Sequence, residues 1–167
     1  MRSNTLHPFN IGFEYQAHRS YFPNISDAHR RESDMDQTAA VSGTSALAGA
    51  IRNPERPEHL MVIKPIRQRI RVYAGDTLLA DSTSALRVME IGKSLYHPVV
   101  YVPEDDLIAS FGTLDKTTHC PIKGNASYVA IEGEEIAWVY RAPIRMAALL
   151  KDHYAFWPEK IRLVEGD

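Results

Sequence analysis

The sequence predicts a mainly β domain over residues 59–167, preceded by a weakly structured N-terminal extension over residues 1–58. Three observations predict it. Ile70, Val72 and Ala74 alternate with Arg69, Arg71 and Tyr73, the period-two pattern of a strand with one buried face. Short β segments of this kind are separated by glycine-bearing turns, Gly75-Asp76 and Gly133-Glu134-Glu135. The first 58 residues instead carry Pro, Ser, Asn, Asp and scattered charge with no sustained apolar period.

Taken in chain order, the extension contains one Ala-rich stretch, Thr38–Ile51, that reads as a short helix. Gly43 and Gly49 each cost it about 1 kcal/mol against Ala, so it needs a partner surface, and a second copy of the chain would supply one in a homodimer. Pro54 and Pro57 punctuate a linker. The strand around Ile70–Ala74 turns at Gly75-Asp76 into a second over Thr77–Asp81. Ala85–Ile91 and Val99–Val102 are further strands, and Pro103 with Glu104, Asp105 and Asp106 suits a single helical turn, where acidic residues face the positive end of the peptide dipoles. Leu114–Asn125 follows neither period and contains Pro121 and Gly124, which predicts a long connecting loop. Ser127–Glu132 and Ile136–Tyr140 form a hairpin. Ile144–Tyr154, opened by Pro143 and containing Ala147, Ala148, Leu149 and Leu150, reads as a C-terminal helix, and Ile161, Leu163 and Val164 suggest a last strand.

Nineteen Lys and Arg against 21 Asp and Glu give a formal charge of −2, so no global cationic field advertises nucleic acid or an anionic membrane. Cys120 is the single cysteine, which removes any intrachain disulfide and any cysteine pair for a structural zinc. The opening MRSNTLHPFNIGF has no apolar run of signal-peptide length and no later stretch has the length of a membrane span, so the expectation is a cytoplasmic protein. The seven histidines show no metal-binding spacing, and neither a metal nor another cofactor is expected.

The residues able to carry chemistry gather in the β part. Cys120 beside His119 is raw material for a nucleophile and base, but neighbours on an extended chain point to opposite sides, so His97 or a carboxylate from elsewhere is the better base. Buried as a small hydrophobe, the thiol would be inert. Lys123-Gly124 offers a point charge and an approachable backbone to an anion, or simply a turn with a solvated lysine. Arg67, Arg69 and Arg71 share one face at spacing two, and could grip a phosphate or carboxylate or pair with acidic neighbours. Tyr96, Tyr101, Tyr128, Trp138 and Tyr140 can wall a ligand or fill a core, with Trp138 and Tyr140 on one face.

The ordered strings R-I-R-V-Y, A-D-S, H-P-V-V-Y-V-P-E-D-D, T-T-H-C-P-I-K-G-N-A-S-Y, A-W-V-Y-R-A-P and Y-A-F-W-P, running from Arg69 to Trp157, resemble the domain of unknown function 427 family. That family is also carried under a nucleotidyltransferase heading. The resemblance covers about residues 60–165 and implies a compact fold of the Mss4-like or β-tent type, with curved antiparallel sheets, a helix packed at the side and a ligand cleft between the sheets. The zinc of some relatives of that architecture cannot be assembled from a lone Cys120. The family pattern falls on Arg69, Arg71, Asp81, His97, Tyr101, Thr118, Cys120, Lys123, Gly124, Tyr128, Trp138 and Tyr140, while Ile122 and Val129 stand where members often carry aromatics. Fold alone does not transfer function. The first functional expectation is therefore a module that binds a small polar or anionic molecule through Arg69, Arg71, Tyr101, Lys123, Gly124, Tyr128, Trp138 and Tyr140. The alternatives are an enzyme using Cys120 with His97 or His119, and a nucleotidyltransferase in which Asp81, Asp105 and Asp106 converge on a metal.

Overall fold

The computed structural model describes residues 49–167, and the stretch Thr38–Ala48 of the expected N-terminal helix lies outside them. Among the described residues, eleven strands build two antiparallel sheets. The larger runs in the order β1 (Ile51–Arg52), β2 (Leu60–Pro65), β5 (Leu86–Ile91), β6 (Val99–Pro103), β10 (His153–Phe156), β9 (Glu134–Val139), β8 (Gly124–Ile131) and β7 (Gly112–Cys120). The smaller runs β11 (Arg162–Glu165), β3 (Ile70–Ala74), β4 (Thr77–Ser82). β1 and β7 are its two edges, so the large sheet is open. Its first strand contains Ile51, which the sequence placed at the end of a helix.

The hairpins form where the turns predict. Gly75 at φ 55° turns β3 into β4, and Glu132 and Gly133, both at positive φ, turn β8 into β9 in the left-handed geometry that matches strand twist. Glu104–Asp106 is the expected helical turn after Pro103, with Glu104 N bonded to Asp152 O at 2.9 Å.

Two larger expectations also fail. The loop predicted over Leu114–Asn125 is β7, a three-residue tip and the start of β8, with Thr117 opposite Ser127 and Cys120 opposite Gly124. Almost every residue of β7 is exposed, and a strand without a buried face carries no hydrophobic alternation, although Thr113, Thr117 and Thr118 have the branched side chains strands favour. The C-terminal helix over Ile144–Tyr154 is a short 3-10 segment, Arg145–Leu150, kinked at Ala147 and followed by β10. Ala147 and Leu150 are both fully buried, and a spacing of three puts them on one edge of a 3-10 turn. Tyr154, Ala155 and Phe156 alternate instead, and β10 enters the sheet between β6 and β9.

Alternation then divides the large sheet into two faces. Val102, Val129, Val139, Tyr154 and Phe156 point toward the small sheet and pack with its Ile70, Val72, Leu79 and Ala80. That core fills the space between the sheets, where the resemblance places a cleft. Tyr101, Tyr128, Tyr140 and Ala155 lie on the opposite face, covered by Ile122 from the β7–β8 tip and by Ala147 and Leu150. Among the described residues no helix is long and apolar enough to cross a membrane.

Candidate functional site

The second face of the large sheet gathers most of the chemistry-bearing side chains. Pro121, Ile122 and Lys123 form the β7–β8 tip, closed by Lys123 N on Cys120 O at 3.2 Å. Gly124 follows at φ 103°, and a side chain there would meet Ile144 N at 3.2 Å. Glycine is thus required for the tip to fold down against residues 142–144, where Ile144 N bonds Lys123 O at 3.0 Å. The fold drives Ile122 into the core and carries Lys123 across the sheet to Glu90 of β5, with Lys123 only 7% exposed.

Glu90 is the hub. One carboxylate oxygen takes the Lys123 ammonium, and the other accepts a 2.8 Å bond from His59 Nε2. His59 and Glu90 are neighbours because β2 pairs with β5, and both side chains retain little solvent exposure. Cys120 completes the group, its Sγ and one ligand atom each of His59 and Glu90 all lying within 4.8 Å of one another. Burial works against the charge on Lys123, but the Glu90 carboxylate it contacts helps to outweigh that and hold the ammonium above its ordinary value.

An aromatic wall adjoins this ionic group. Tyr101 meets Trp138 edge to face at 6.4 Å between ring centroids, and Trp138 Nε1 donates to the Tyr101 hydroxyl at 3.4 Å. Tyr140 lies 6.4 Å from Tyr101 on the other side. Trp157, which the sequence reading did not select, bridges Trp138 at 4.6 Å and stacks on Tyr128 at 6.4 Å. Thr118 Oγ1 and the Tyr128 hydroxyl share a 2.9 Å bond, and Lys116 sits 4.0 Å above the Tyr128 ring. Burial raises the phenols of Tyr101 and Tyr140, so both stay protonated hydrogen-bonding groups.

The remaining sequence candidates lie elsewhere. Arg69 grips both oxygens of Asp81 at 2.6 Å, and Arg71 donates to Gly166 O at 3.1 Å. Both belong to the β3 run whose Ile70 and Val72 enter the core between the sheets, so the arginines alternate onto the outer side of the small sheet. His119 turns to Asn125 Oδ1 at 2.8 Å, and His97 is exposed. The imidazole beside Cys120 is that of His59, and the carboxylate is that of Glu90. Their positions in the sequence announce nothing, since 31 residues separate them and only the pairing of β2 with β5 brings them together.

Asp81 is engaged by Arg69, and Asp106 accepts from Ser82 Oγ at 2.6 Å. Among the described residues, the one trio of close His, Cys, Asp or Glu side chains is His59, Glu90 and Cys120. No curated protein matches the chain. A family model does: it covers residues 62–166, from β2 to β11, and spans Glu90, Tyr101, Cys120, Lys123 and Trp138 while leaving His59 outside. By that match the chain belongs to the family described as a domain of unknown function (DUF427), which carries the label NTP_transf_9.

Proposed function

We propose that the domain binds a small polar molecule at the second face of the large sheet, with the partly exposed Trp138 as its wall, the buried Tyr101 and Tyr140 behind it, and Lys123 as its charged anchor. The observation that supports this best is the buried Lys123–Glu90 pair set against phenols kept protonated by burial. An apolar surface with a few convergent polar groups is what small-molecule sites have in common. Lys123 is already paired, so the ligand must offer its own acceptor to the ammonium and a donor to Glu90. This favours a polar molecule with both over a simple anion. Arg69 and Arg71, on the other sheet, take no part. The two antiparallel sheets also support a domain of the Mss4-like or β-tent type, and the lone Cys120 suits a reducing compartment such as the cytoplasm.

The chain contains two tryptophans, Trp138 and Trp157, and both lie on this face. Tryptophan emission therefore reads the site directly. Titration with a panel of small amino acids, hydroxy acids, amides and nucleotides should give a saturable emission change with at least one member. The change should vanish in Lys123→Gln and persist in Arg69→Ala. A panel that leaves emission untouched, or a hit bound equally well by Lys123→Gln, removes the proposal.

A second reading, thiol chemistry at Cys120, is favoured by the placement of His59 and Glu90 within 4.8 Å of it. An imidazole held by a carboxylate is the usual companion of a working nucleophile. In this reading His59 replaces His97 and His119 as the base. Iodoacetamide should then alkylate Cys120 faster in the native protein than in urea, and His59→Ala should abolish the advantage; equal rates would sink it. The nucleotidyltransferase reading suggested by the family label draws least support, because Asp81 and Asp106 are engaged with Arg69 and Ser82.

A further inference from the structure

We propose that His59, Glu90 and Cys120 form a binding site for a divalent transition-metal ion of zinc type, a function that shares Glu90 and Lys123 with the small-molecule reading but is tested separately from it. The three offer one nitrogen, one oxygen and one sulfur, all within 4.8 Å of one another. Tetrahedral zinc holds such donors about 2.0–2.3 Å from the ion, which sets them about 3.3–3.7 Å apart, so side-chain shifts of about 1 Å close the site. Imidazole and thiolate together select zinc, cobalt or copper over magnesium and calcium, which prefer oxygen.

Three further features support this assignment. Each donor stands on a separately fixed piece of backbone: His59 N is bonded to Arg56 O at 2.8 Å, Glu90 lies in β5 opposite Met61, and Cys120 closes the β7–β8 tip through its carbonyl. Lys123 occupies the outer oxygen of Glu90, leaving the inner one toward His59, which is how an outer-shell partner orients a carboxylate ligand. All three donors are partly buried, and three protein ligands leave a fourth position open to water or to a ligand on the aromatic wall.

Loading balances as follows. The Cys120 thiol releases its proton to solvent as the sulfur–metal bond forms. The His59 proton now shared with Glu90 moves to the other ring nitrogen, freeing Nε2 for the ion. The summed charge of the four side chains changes from neutral, with Glu90 and Lys123 opposed, to −1 beside a 2+ ion.

The test is titration of the full-length, reduced, chelator-treated protein with cobalt(II) chloride, followed by the thiolate-to-cobalt charge-transfer absorption. Cys120 is the single cysteine, so histidines and acids elsewhere in the chain cannot produce that band. We expect one equivalent of cobalt per chain, displacement by zinc chloride, and at least about tenfold weaker binding in His59→Ala and in Glu90→Gln. Zinc should also shield Cys120 from iodoacetamide in the unaltered protein, a readout that does not depend on any variant folding. Absence of the band with no shielding overturns the proposal. So does a band of undiminished affinity in both variants, which would mean a thiolate binding cobalt alone. Tryptophan emission changes with the organic panel in metal-free protein would still support the small-molecule site, so the two readings fail separately.

Discussion

The two faces of the large sheet are built from the same strands and could hardly differ more. Val102 and Tyr101, Val129 and Tyr128, and Val139 and Trp138 are sequence neighbours that point to opposite sides. One side meets the small sheet in a core of mostly aliphatic side chains, with Tyr154 turning its hydroxyl outward to Glu104 and Arg141. The other holds phenols, indoles and a buried ion pair. The difference teaches that β alternation lets one set of strands supply a scaffold and a site at once, with the apolar side holding the polar side in place.

The comparison breaks most visibly from the scaffold side. Leu79→Ala empties a fully buried position between the sheets and should cost about 2–5 kcal/mol, read as a lowered urea midpoint. Its native tryptophan emission should stay unchanged, since Trp138 and Trp157 are on the far face; a shifted native spectrum would mean that the faces are not separable. From the site side, Lys123→Met should cost about 3 kcal/mol by leaving Glu90 without its buried counter-ion. Adding Glu90→Gln should recover part of that loss, and a double change costing the full sum of the single ones would show that the pair is not coupled. The mildest effect concerns pH. Burial raises Tyr101 above its ordinary 10.0, with Lys123 pulling the other way, and Tyr140 is raised by burial as well. A folded-state value above the unfolded one means stability present in full below about pH 10 and lost as the pH rises beyond it. Tyrosinate absorption from these two residues should therefore appear together with the loss of near-ultraviolet circular dichroism. Titration of all eight tyrosines in a still-native spectrum would contradict the buried placement.

How far the sequence could be read followed how local each signal was. The β3 alternation, the Gly75 and Gly133 turns and the shared face of Trp138 and Tyr140 depend on residues a few positions apart, and all are present. β7 escaped because its exposed edge lacks a buried face, and β10 because Ala147 to Leu150 imitate a helix just before it. Arg69 and Lys123 both looked like cations awaiting a ligand. Nothing local distinguishes the one paired with Asp81 on the outer sheet from the one buried against Glu90.

The sequence by itself determined that the domain is mainly β, where two of its hairpins turn, and how the residues of β3 and the pair Trp138 and Tyr140 alternate, because these follow from backbone geometry and period-two burial within single strands. Only the tertiary structure decided that His59, Glu90, Cys120 and Lys123 meet. Their encounter requires β2 to pair with β5 and the β7–β8 tip to fold across the face on Gly124, and contacts between segments so far apart depend on sheet order, which no local pattern encodes.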